Sequence, residues 1–318
     1  MSHSPNFFVI GVAKGGTTSL HHYLNQHPEV YLPPIKETNH YALGDIDEGQ
    51  LHPVYRRDIQ LDIDAYIAQG MKRPIHIAHV NEEKHYRALF APAGKAQAVG
   101  EISNSYSICP SAIPAIRAKH PDARIIIMLR NPIQRAWSHY LMNLREGKND
   151  HTDFIQEVEL DRAQKVIGWG MNHQYLELGR YYNQMKRVYN YFPKEQIKWL
   201  LFEDFKADPA STLLQITRFL EVDTDYHFDF NKKANSAQVP RNKYLNRLLI
   251  QSGVLHQLKA MAGTSARTLG KKLLYSNGSK LPTISAEVSA YLHEFYRNDV
   301  LALSTLLNFN FIRKWNME

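Results

Sequence analysis

The chain has 318 residues, 44% apolar and 22% charged, a balance that builds a sizeable core and excludes wholesale disorder. Lys and Arg outnumber Asp and Glu by 38 to 31, a formal charge of +7 with 16 histidines besides, which points to an anionic partner without separating nucleotide, nucleic acid or acidic glycan. A single cysteine, Cys109, excludes an intrachain disulfide and fits a reducing compartment; with no basic cluster around it, it reads as a packing residue rather than a nucleophile.

The N-terminus, Met1-Ser-His-Ser-Pro-Asn, lacks a basic leader, and the apolar run Phe7 to Val12 is far too short for a signal core or a membrane span. With no other run near 18 apolar residues, a soluble, cytoplasmic protein is expected. Phe7-Phe-Val-Ile-Gly-Val12, leading straight into a Gly-rich turn, predicts a buried parallel strand. Thr17 to Asn25 predicts a helix with Leu20, Tyr23 and Leu24 on one face, closed by His27-Pro28. Residues 38–95 are polar and read as a helical and loop insertion able to shape an acceptor cleft. Val99 to Ile102 is a weaker strand; Ala123 to Leu129 is a strong one, followed by a helix from Ile133 to Arg145. Tyr175 to Phe192 predicts an amphipathic helix. Ile197 to Phe202 predicts a strand, and Pro209 opens a helix to about Leu220. Residues 223–243 read as a long loop and 244–318 as a largely helical tail. Strands alternating with helices predict one domain over 1–318, an α/β, P-loop-like, three-layer fold with a parallel sheet covered on both faces. Ligands then bind at the carboxyl ends of the strands.

Two segments fall at such strand ends. Gly11-Val-Ala-Lys14-Gly15-Gly16-Thr17-Thr18-Ser19 follows the first strand. Its glycines let backbone N–H groups approach an anion, the helix start adds positive potential, and Lys14 adds a mobile charge. Gly11 and Gly16 have the spacing of a nucleoside-triphosphate loop, but Thr17 stands where that loop carries its lysine, which weakens a kinase or ATPase reading. The second segment, Leu129-Arg130-Asn131-Pro132-Ile-Gln-Arg135-Ala-Trp137-Ser138, follows the strong strand. Arg130 with Ser138 suits a terminal phosphate, to which a planar guanidinium donates two bonds.

Together, Lys14-Gly-Gly-Thr-Thr-Ser and Arg130-Asn-Pro-x-x-Arg-x-x-Ser138 resemble the 5'-phosphosulfate and 3'-phosphate motifs of sulfotransferases that use 3'-phosphoadenosine 5'-phosphosulfate (PAPS). The chain is most similar to the branch holding the heparan sulfate sulfotransferases and their soluble bacterial relatives. His27-Pro-Glu-Val, Lys36-Glu37, Gly100-Glu-Ile-Ser103-x-x-Tyr106, Gly179-Arg-Tyr181, Leu201-Phe-Glu203-Asp204 and Phe219-Leu220 extend the resemblance over most of the chain.

The resemblance implies transfer of a sulfuryl group from PAPS to a hydroxyl or amine, by in-line displacement, with no metal. It assigns the phosphosulfate to Lys14, Gly15, Gly16, Thr17, Thr18 and Ser19, and the 3'-phosphate to Arg130 and Ser138. Glu37 falls at the place of the family's glutamate base, with Lys36 beside it to tune it or to contact phosphosulfate. His40 is the rival base, since members acting on phenols and steroids use a histidine. Asn235-Ser-Ala-Gln-Val-Pro240-Arg241 resembles a loop that closes over the donor, with Arg241 reaching an anionic group. Tyr181 and Tyr106 are candidate adenine or acceptor contacts, though such tyrosines more often pack. The expected acceptor is a small molecule, a lipid or a carbohydrate, not nucleic acid. Glycan-modifying relatives carry a lysine after the glutamate of Glu-x-Ser, whereas this chain has Ile102. The competing classes are a P-loop nucleotide or sugar kinase and a non-enzymatic nucleotide-binding module.

Overall fold

In the computed structural model, described for residues 4–164, 168–171, 174–231, 239–240, 242–252, 274–276 and 283–318, the first strand is β1 (Phe7–Val9). It lies at the centre of a five-stranded sheet with β2 (Val30–Tyr31), β5 (Ala98–Ile102), β6 (Arg124–Leu129) and β7 (Ile197–Leu201), in the order β2-β5-β1-β6-β7. Every pairing in this sheet is parallel, with Phe8 set between Glu101 and Ile125. Two further strands, β3 (Ile35–Glu37) and β4 (Ile75–Ile77), pair in parallel beside it.

Alternation along the strands builds two cores. Phe7, Val9, Ile126 and Met128 point to one face and pack with Leu20 and Leu24 of the helix Thr17–Leu24 and Leu213 and Ile216 of the helix Pro209–Leu220. Phe8, Ile10, Ile125, Ile127 and Leu129 point to the other. There they meet the helices Ala112–Lys119, Tyr181–Tyr191 and Ala286–Leu307. The three-layer arrangement with a parallel sheet is therefore present. Gly100 serves this packing directly, since a Cβ there would lie 2.1 Å from the Phe7 ring.

The helix after β6 runs Pro132–Glu146, with the Asn131 side chain accepting from the amides of Ile133 and Gln134, Pro132 in its first turn and left-handed Gly147 at its end. The expected helix from Tyr175 starts only at Tyr181. The Asp299 carboxylate accepts from the amides of Tyr181 and Tyr182, fixing the start there, while Tyr296 Oη donates to the carbonyls of Tyr175 and Leu176 and holds them out of a helix. The 38–95 stretch has short helices, as expected, but also β4, a strand missed because its pairing partner is distant in sequence. Among the described residues, no helix is long and apolar enough to cross a membrane, and no cluster of side chains is suited to hold a metal ion.

Candidate active site

The loop after β1 turns sharply because it must. Gly11, Lys14 and Gly16 have positive φ (147°, 69° and 91°), a conformation that an ordinary residue such as Lys14 adopts at a cost. A Cβ on Gly15 would lie 2.5 Å from the carbonyl oxygen of Met128, and one on Gly16 would lie 2.7 Å from the Phe202 ring, so the loop is pressed onto the ends of β6 and β7. The helix that follows begins at Thr17 with no side-chain cap; the Ser19 amide turns back to the Gly16 carbonyl at 3.0 Å, and those of Thr17 and Thr18 are left for an anion.

Lys14 lies half-buried with Nζ 3.2 Å from the sulfur of Met142. Burial, reinforced by Arg145, Arg130 and Arg135 and opposed by Glu146, brings its ammonium down to about 8. Glu146 is the compensating charge: burial works against its ionisation, but Lys148, Arg145 and Lys14 hold it at about 2.

The two motifs meet. Arg130, just past the end of β6, donates from Nη1 to the main-chain carbonyl of Lys14 at 2.8 Å and stacks its guanidinium 4.5 Å from the centre of the Phe202 ring. Its own carbonyl accepts from Tyr181 Oη at 2.9 Å. Asn131 beside it is fixed by the Glu203 carboxylate at 2.9 Å and by the carbonyl of Trp315 at 3.0 Å. Ser138 lies half-buried two turns along the following helix, its hydroxyl bonded to no side chain or carbonyl among the described residues.

Glu37, at the end of β3, has one oxygen engaged. Oε1 accepts from Lys36 Nζ at 2.6 Å and Asn104 Nδ2 at 2.7 Å, with His76 Nε2 at 3.8 Å. No described residue donates to Oε2. Burial favours the neutral acid, but Lys36, His76 and the bond from Asn104 outweigh it and hold the carboxyl below its ordinary range. Lys36 Nζ also lies 3.5 Å from Thr17 Oγ1, linking Glu37 to the glycine-rich loop.

Behind Glu37 lies a buried hub. Glu101 is inaccessible to solvent and accepts from the hydroxyls of Thr38, Ser103 (2.8 Å), Tyr106 (2.6 Å) and Tyr86 (2.6 Å). Four donors satisfy a carboxylate that would otherwise be costly to bury. Burial and Glu101 push both tyrosines well above the ordinary phenol range, so they remain donors. Ser103 and Ser105 then clamp Asn39, fixing the turn that carries Glu37.

His40 is not brought to Glu37 by any contact. Its Nδ1 bonds the carbonyl of Val80 at 2.7 Å, its Nε2 lies 3.5 Å from Glu83, and its ring stacks on Tyr86. Tyr106 and Tyr181 are buried, with their hydroxyls spent on Glu101 and the Arg130 carbonyl. Cys109 is buried and its thiol is pushed up to about 12, chiefly by burial. Arg241 lies outside the described residues. Sequence reasoning did not single out Asn104, His76 or Phe202. Asn104 sits inside the Ser103-x-x-Tyr106 stretch already quoted, but His76 carries no local signal, because only the β3–β4 pairing brings it near.

A parallel sheet with a phosphate loop at its carboxyl end and an arginine tied to that loop defines an α/β protein of the P-loop-like class. Within it, the chain belongs to the sulfotransferase family, whose pattern matches residues 5–226. It is 26% identical over 296 residues to mouse heparan sulfate glucosamine 3-O-sulfotransferase 3B1, covering 92% of this chain and 60% of that protein. It is 24% identical over 313 residues to bovine bifunctional heparan sulfate N-deacetylase/N-sulfotransferase 2, covering 96% of this chain and 29% of that protein. The chain thus spans about 60% of the former relative's length and less of the latter's. The crystal structure of a sulfotransferase from Alicyclobacillus acidocaldarius superposes with a TM-score of 0.69 at 25% identity, covering 99% of both chains.

Proposed function

We propose that this chain transfers a sulfuryl group from PAPS to a hydroxyl or amine of an acceptor. The observation that carries this is the bond from Arg130 to the carbonyl of Lys14, which puts the two anion-binding motifs against each other, as one nucleotide with phosphate at both ends requires. A nucleoside triphosphate carries no 3'-phosphate for Arg130 and Ser138.

Each residue then has a task. The close-packed Gly15–Gly16 turn, the Thr17 and Thr18 amides and the hydroxyls of Thr17, Thr18 and Ser19 hold the 5'-phosphosulfate at the uncapped helix start. Arg130 and Ser138 hold the 3'-phosphate. Glu37 Oε2 removes the acceptor's proton as its oxygen or nitrogen bonds to sulfur. Lys14 stabilises the negative charge that the departing bridging oxygen gains as its bond to sulfur breaks. The geometry around His40 favours a packing role at the Tyr86 side of the Glu101 hub. Carbohydrate is the first acceptor class to screen, since the named relatives act on heparan sulfate. Ile102 is wholly buried and presents no charge to such an acceptor, so lipid and small-molecule hydroxyls belong in the same screen.

Titration with adenosine 3',5'-bisphosphate and, separately, with ATP and Mg²⁺ tests this. The bisphosphate is expected to raise Tm. Stabilisation by ATP and Mg²⁺ alone would refute the proposal in favour of a phosphotransferase. Labelled PAPS offered with carbohydrate, lipid and phenolic acceptors then reads the acceptor class.

A further inference from the structure

Lys36 occupies a position that base catalysis alone does not require. Its ammonium is buried between the two halves of the site, 2.6 Å from Glu37 Oε1 and 3.5 Å from Thr17 Oγ1 in the first turn after the phosphate loop. An ammonium has three N–H donors, and only these two have partners among the described residues. In this arrangement Glu37 is a poor base, because the cation at its side stabilises the form that has already lost its proton. A base held that way is of little use to an acceptor hydroxyl. We propose that Lys36 is a donor-responsive latch, which holds Glu37 while the phosphate loop is empty and turns to the phosphosulfate oxygens at Thr17 when the donor is present, leaving Glu37 to take the acceptor's proton.

The inference rests on the sulfotransfer reading and deepens it. The direction of the swing follows from charge. A phosphosulfate at the helix start brings anionic oxygens next to Thr17, where the third N–H of Lys36 has no partner, and the ammonium exchanges one carboxylate for them. With that ion pair gone, burial dominates at Glu37, which then binds a proton more tightly. The other titratable groups facing Glu37 do not bridge in this way. His76 on β4 lies 3.8 Å from Oε1 and is largely exposed. His21, on the helix Thr17–Leu24, is held down to about 4, first by burial and then by Lys36. Tyr55, on the helix Pro53–Asp58, has its hydroxyl bonded by Trp169. The arrangement makes base strength depend on donor occupancy, so that the carboxylate becomes competent only beside a loaded loop.

The test follows the Glu37 carboxyl by carbon-13 NMR as pH is varied, in free protein and in the complex with PAPS, with calorimetry confirming that PAPS is bound. Glu37 is expected to titrate about one to three pH units higher in the PAPS complex than in free protein. In Lys36→Met it should titrate high already and change little on adding PAPS. If PAPS binds and Glu37 titrates at the same pH in both states of the unaltered protein, the latch is overturned even if Lys36→Met fails to fold. If PAPS does not bind at all, the sulfotransfer reading itself is lost, a separate outcome.

Discussion

In the proposed site, Lys14 is expected to make nucleotide affinity depend on pH above neutrality. Its free ammonium is brought from an ordinary 10.5 to about 8, mainly by burial. An anion seated beside it favours the charged form and raises that value again, so binding draws on a proton that is in place below pH 8 and missing above it. The sign is therefore fixed: affinity is full at neutral pH and falls as pH rises. If the complex returns Lys14 to about 10.5, affinity for adenosine 3',5'-bisphosphate falls roughly 30-fold between pH 7 and pH 9.5. The ligand adds no slope of its own, since phosphate monoesters complete their second ionisation near pH 6. Calorimetric titration at half-unit steps measures the curve. Lys14→Arg, charged throughout the range, should flatten it even where it weakens binding. A change below about threefold in the unaltered protein would refute the role given to Lys14.

Glu37→Gln should keep bisphosphate affinity within about threefold yet lower turnover by roughly 10² to 10⁴, the usual worth of a positioned base; full activity would move the base elsewhere. Arg130→Lys keeps a charge but loses both the bond to the Lys14 carbonyl and the stack on Phe202. It should weaken bisphosphate binding about tenfold to a hundredfold by calorimetry. Gly100→Ala, whose methyl would meet the Phe7 ring at 2.1 Å, should cost about 1–3 kcal/mol in denaturant unfolding, and an unchanged midpoint would contradict the packing described.

The sheet was legible because its central strands are continuous apolar runs. Phe7–Val9 and Arg124–Leu129 bury both faces in a parallel arrangement, and within three residues each is followed by a turn residue, Gly11 in one case and Asn131-Pro132 in the other. The anion motifs were legible because glycine and proline fix their backbones locally. What escaped depends on distant pairing. β3 and β4 are three residues each and join segments about forty residues apart, so no periodicity announces them, and His76 stays hidden with them. The start of the helix at Tyr181 is set by Asp299, over a hundred residues away, which no local capping signal reveals. Glu101 could be read only as part of a motif. That four hydroxyls from four separate positions converge on it is a property of the packed chain.

The C-terminal segment, beyond the residues that carry the family pattern, is built into the surroundings of Arg130. Asp299 starts the helix that presents Tyr181, and Tyr181 holds the carbonyl of Arg130. Trp315 holds the Asn131 side chain by its carbonyl and the Glu203 carboxylate by its indole N–H, while Lys314 pairs with Asp204 at 2.6 Å. Asn131 and Glu203 in turn fix the backbone on which Arg130 emerges. An arginine that holds the loop carbonyl and, as proposed, a phosphate as well tolerates little displacement, because directional bonds weaken steeply with angle. The two motifs alone therefore do not make the pocket: Arg130 is aimed by bonds that begin nearly two hundred residues further along the chain.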